Sequence, residues 1–108
     1  MALTPTVALA HAVLTKASLV GTVVRAGSST DVKLRFNTGI EPAFTRVYLV
    51  RAKGQEETLN VNATDDRSVV DVALPSLDAG TYGLHYKVLA ADGHVTESVL
   101  KFTVAPAE

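Results

Sequence analysis

Asp92 and His94 flank a single glycine in the stretch L-A-A-D-G-H-V-T, residues 89–96. At i, i+2 spacing, a carboxylate and an imidazole point to the same side of an extended backbone. One oxygen and one ring nitrogen side by side are two ligands for a metal ion, and two ligands bind weakly. His11 can supply two more donors if the chain is cut before it: its imidazole, and the free α-amine that only a first residue carries. Those two nitrogens close a chelate ring on one metal. Three nitrogens and a carboxylate oxygen suit Cu(II), which prefers tetragonal N,O fields and tops the divalent affinity order. Read alone, Asp92-Gly93 is a hairpin turn with His94 opening the next strand.

Other chemistry finds little support. There is no cysteine, which excludes a thiol nucleophile, a zinc ribbon, an iron–sulfur cluster and a disulfide framework. The only methionine is Met1, which excludes thioether ligation of a soft metal. No G-x-S-x-G elbow, H-E-x-x-H or phosphate-cradling glycine loop is present. The third histidine, His85, alternates with the apolar face of its segment, so it is read as a surface histidine without a role. Ten basic residues balance eleven acidic ones without a basic cluster, so there is no electrostatic footprint for nucleic acid. No apolar run approaches the roughly 18 residues of a membrane span.

The elements that must position these side chains read as strands. Val32, Leu34 and Phe36 alternate with Lys33 and Arg35, and Thr58 to Asn62 alternates likewise. Val47 to Val50 and Val69 to Leu74 are short runs rich in β-branched residues. Tyr82, Leu84, Tyr86 and Val88 share one face of a long strand, and Val99, Phe102 and Val104 close the chain with imperfect alternation. Turn-forming clusters separate these runs, for example Ala52-Lys53-Gly54-Gln55 and Asp78-Ala79-Gly80. About seven strands in roughly 100 residues is the arithmetic of an all-β, immunoglobulin-like sandwich. Tyr82, opening a strand just after a glycine turn, resembles the tyrosine corner of such folds.

Residues 1–10 are apolar and uncharged and end in Ala8-Leu9-Ala10, the small-x-small pattern that signal peptidase cleaves. They are read as the remnant of a signal peptide, with a domain over 11–108 whose mature form begins at His11. In an uncut chain the His11 nitrogen is an amide, which cannot donate to a metal without losing its proton.

The pieces H-A-V-L (11–14), V-K-L-R-F (32–36), E-P-A-F (41–44), L-D-A-G-T-Y (77–82), K-V-L-A-A-D-G-H (87–94) and F-T-V (102–104), in this order and spacing, resemble the CopC family of bacterial periplasmic copper-binding proteins. The most specific element is a histidine directly after A-x-A, followed some eighty residues later by D-G-H. The resemblance implies a Greek-key β-sandwich that holds Cu(II) through His11, by amine and side chain, together with Asp92 and His94. It further implies a non-catalytic carrier or buffer in copper homeostasis and resistance, monomeric, working in the periplasm alongside an inner-membrane copper transport protein. The chain departs from the family pattern in places: Ser18-Leu19 stands for Ser/Thr-Pro, Phe36-Asn37-Thr38 for Phe-Ser-Glu, Tyr86 for a tryptophan and Val95 for a proline. The methionine-rich Cu(I) segment of some members is missing, which implies a Cu(II)-only member. Two other readings compete. An immunoglobulin-like interaction or carbohydrate-binding module without metal would need an exposed aromatic platform. A copper oxidase would need a substrate groove.

Overall fold

A computed structural model describes residues 12–107. His11 and the proposed leader over 1–10 lie outside the described residues. Among the described residues nine strands, β1 (Leu14–Ala17), β2 (Val24–Arg25), β3 (Thr30–Phe36), β4 (Arg46–Val50), β5 (Glu56–Leu59), β6 (Val61–Ala63), β7 (Val69–Leu74), β8 (Gly80–Leu89) and β9 (Val95–Ala105), form two sheets. One sheet has the order β1-β3-β7-β6 and the other β2-β9-β8-β4-β5. Every pairing is antiparallel except β2 with β9. The expected all-β sandwich is therefore present. None of the described helical segments is long and apolar enough to cross a membrane.

The strand count differs from about seven for two physical reasons. The alternating run 58–62 is not one strand: β5 pairs with β4 in one sheet, and β6 pairs with β7 in the other. The chain crosses between sheets at Asn60, which period-two alternation does not reveal. β2 is only two residues long, too short for any periodic signal, and is recruited by the C-terminal strand.

Period two sets the core. Val32, Leu34 and Phe36 of β3 and Val70, Val72 and Leu74 of β7 turn inward from one sheet. Val47 and Leu49 of β4, Leu84, Tyr86 and Val88 of β8, and Phe102 and Val104 of β9 meet them from the other. Tyr86 packs edge-on against Phe36 across the interface, with ring centroids 5.7 Å apart. In β9 the inward set is Leu100, Phe102 and Val104; Val99, grouped with Phe102 in the sequence reading, lies on the outer face over Gly83. The tyrosine corner is present, with the Tyr82 hydroxyl donating to the Asp78 carbonyl at 2.8 Å.

Candidate metal site

β8 and β9 form the longest hairpin, in register from Gly80↔Val104 to Leu89↔Val95. Its connection is closed by Ala90 N–H donating to the His94 carbonyl at 2.8 Å. Inside it, Gly93 N–H donates to the Ala90 carbonyl at 2.9 Å. Gly93 has φ +96°, whereas Asp92 does not enter the positive-φ region. The sequence reading gave such angles to both residues of a two-residue turn. The structure instead has a three-residue loop with glycine alone in the left-handed position, the next commonest hairpin solution.

This geometry places the two chemical groups on one side, as their spacing suggests. Asp92 Oδ1 accepts the His94 backbone N–H at 3.1 Å, and Asp92 Oδ2 lies 3.1 Å from His94 Nδ1. Two donors at right angles, each about 2 Å from a metal, lie about 2.8 Å apart, so the facing nitrogen and oxygen are near the separation of adjacent ligands. The side chains are 60% (His94) and 43% (Asp92) exposed, open to an ion from solvent. The His94 backbone N–H, helped by the imidazole, holds the Asp92 carboxyl below its ordinary value, so it is a charged oxygen donor across the neutral range.

The loop is braced by the segment following β3. Ala91 N–H donates to the Gly39 carbonyl at 3.0 Å, Ile40 bridges to Ala90, and Glu41 N–H donates to the Leu89 carbonyl at 2.9 Å. Two residues before Gly39, Asn37 holds the start of the chain. Val13 N–H donates to Asn37 Oδ1 at 2.8 Å, and Asn37 N–H donates to the Val13 carbonyl at 2.9 Å. Two residues span at most about 7 Å. The first strand therefore enters at the end of the sandwich where the Asp92–His94 loop emerges. Ala12 is fully buried in the core at that entrance. Among the described residues, no group of three or more histidine and carboxylate side chains could hold a metal ion. The described chain thus brings together Asp92 and His94, and His11 is the predicted ligand outside it.

His85 differs from the role-free surface histidine of the sequence reading. It lies on the outer sheet face, as its parity requires, but only 18% of its side chain is exposed. Its Nε2 is 2.6 Å from Glu97 and its Nδ1 is 3.1 Å from Glu56, and the ring lies beside Tyr48. Burial lowers the affinity of this ring for a proton, but the two carboxylates outweigh it and leave its pKa above 6.5. Because the carboxylates sit at opposite ring nitrogens, they cannot converge with the imidazole on one ion. The cluster is a proton-held cross-strand clamp. The hairpin register pairs Lys87 with Glu97, placing Glu97 diagonal to His85; a two-residue Asp-Gly turn would instead set Glu97 against Val88, so the pair follows from the three-residue loop.

A two-sheet β-sandwich with an accessible Asp/His pair on the hairpin at the end where its first strand enters defines the class. A model of the CopC domain matches residues 14–105, and the chain belongs to that family. CopC from Methylosinus trichosporium OB3b is 32% identical and superposes with a TM-score of 0.79, covering 91% of this chain and 97% of its own. PcoC, a methionine-rich copper resistance protein from Escherichia coli, is 21% identical with a TM-score of 0.64, covering 88% and 99%, and bears on the fold alone. A search of curated proteins gave no match. Family membership supports a copper-related function for the chain.

Proposed function

We propose that this chain is a periplasmic Cu(II) carrier or buffer in copper homeostasis and resistance, with no catalysis of its own. The observation that carries the reading is the Asp92 carboxylate facing the His94 imidazole at 3.1 Å, on the loop at the end of the sandwich where Ala12 and Val13 enter the fold. In this reading export removes residues 1–10, and His11 contributes its α-amine and imidazole. Asp92 and His94 complete a tetragonal N,O set that favours Cu(II). The site is open, as a carrier requires, and it can be unloaded without unfolding the domain. Protonation of the amine, with a reference pKa of roughly 8, and of the imidazoles competes with the metal, so acid releases it. The protein acts as a monomer and passes copper to an inner-membrane copper transport protein.

Of the six aromatic residues, Phe44 alone is largely exposed, which offers little to a carbohydrate-binding reading. The test is Cu(II) affinity in chains that begin at His11. Asp92→Ala and His94→Ala should each weaken binding at least tenfold, about 1.4 kcal/mol, while His85→Ala leaves it within about twofold. Unchanged binding in both of the first two variants would refute the site.

A further inference from the structure

We infer that Asn37 is a positioning residue for the copper site, fixing the backbone from which His11 is presented; this rests on the His11, Asp92 and His94 site proposed above. The β1–β3 ladder runs out at Leu14↔Phe36. Beyond it the chain through residues 37–39 bends away to support the hairpin loop, where Gly39 receives Ala91 N–H. Val13 is 51% exposed, so burial of its side chain does little to anchor it. Its backbone is instead gripped at both polar groups by one residue: N–H to Asn37 Oδ1 at 2.8 Å, C=O from Asn37 N–H at 2.9 Å. This is the two-way exchange of a hydrogen-bonded antiparallel pair, with a side-chain amide oxygen standing in for the backbone carbonyl. Asparagine suits it, being short and carrying an amide acceptor like that of the backbone.

The consequence concerns the next residues outward. Ala12 is fully buried and Val13 is clamped, so the two residues that follow position 11 are held at the end of the sandwich carrying Asp92 and His94. A ligand held near its bound position gives up less freedom when the metal arrives, so it binds more tightly. The Asn37 side chain performs this by touching Val13, and it needs no contact with the metal.

The experiment compares Cu(II) affinity in chains beginning at His11 and at Met1, each with Asn37 or with Asn37→Leu, which keeps the size and removes the acceptor. Hydrogen exchange of the Val13 amide is read by nuclear magnetic resonance on the metal-free proteins. Asn37→Leu should speed Val13 exchange in both forms. It should weaken Cu(II) binding roughly two- to tenfold in the His11 form, the worth of one exposed hydrogen bond, and cost the Met1 form distinctly less, since there His11 keeps only its imidazole as a ligand. Asn37→Asp, which keeps the acceptor, should restore at least wild-type affinity. If Asn37→Leu does not fold, Asn37→Ser, one bond too short to reach Val13, carries the same expectation. Equal losses in the two chain forms would make Asn37 merely structural and overturn the inference. So would faster Val13 exchange with undiminished affinity in the His11 form. If the wild-type His11 and Met1 forms bind alike, the amine ligand itself fails, and the inference falls with it.

Discussion

Replacing His85 by glutamine should remove a pH-dependent part of the stability. His85 ties three strands together: it lies in β8, Glu97 in β9, and Glu56 in β5, reached across Tyr48 of β4. A protonated imidazole donates to both carboxylates, whereas a neutral ring donates to one and turns a lone pair toward the other. Glu56 and Glu97 are 42% and 51% exposed, so solvent screening holds each contact to roughly 0.5–1 kcal/mol, about 1–2 kcal/mol together. At roughly 4–8 °C per kcal/mol for a domain of this size, His85→Gln should lower the unfolding midpoint by about 4–16 °C at pH 6. The sign follows from the pKa being raised in the fold. The contribution is complete below the unfolded value of about 6.5 and disappears as pH climbs through the folded value. Thermal melts of metal-free wild type and His85→Gln, followed by circular dichroism from pH 5.5 to 8.5, should show midpoints that converge toward the alkaline end. A midpoint difference independent of pH would refute the clamp.

Gly83→Ala should destabilise the fold by about 1 kcal/mol, because its Cβ would meet Val99 Cγ1 at 3.0 Å and Val50 Cβ at 3.3 Å. Adding Val99→Ala should return part of that loss in the same melts, since Val99 is the closer neighbour. With no cysteine and no methionine beyond Met1, the chain beginning at His11 should bind Cu(II) far more tightly than Cu(I) in competition titrations. Tight Cu(I) binding would contradict that donor set.

Much of the sandwich was legible because its signals are local. Alternation placed β3 and β8 and the side of each that faces inward, β-branched runs placed β4 and β7, and Leu77-Asp78-Ala79-Gly80-Thr81-Tyr82 announced the tyrosine corner. Crossing between sheets was not legible: Asn60 continues the alternation of its neighbours, and only the pairing partners reveal the change of sheet. The site divides in the same way. The i, i+2 spacing of Asp92 and His94 carries their proximity, and D-G points to a turn. Which turn depends on hydrogen bonding at Ala90 and on glycine alone taking positive φ. Asn37 stands out in the sequence only as part of Phe36-Asn37-Thr38, where the family pattern has Phe-Ser-Glu. Its partner is 24 residues away, and nothing in the sequence shows that its side chain acts as a piece of backbone. His85 was placed on the correct face, but its carboxylates lie on other strands, and their pairing is a property of register.

The central claim is that the first residue of the processed chain completes a Cu(II) site with Asp92 and His94. The most direct measurement is a Cu(II) titration, followed by electron paramagnetic resonance, of chains beginning at His11 and at Met1. The account predicts that both fold alike, that the His11 form binds markedly more tightly, and that its spectrum has the nitrogen-rich tetragonal signature of an amine and two imidazoles. Equal affinities with the same spectrum would show that the amine is not a ligand and would contradict the account.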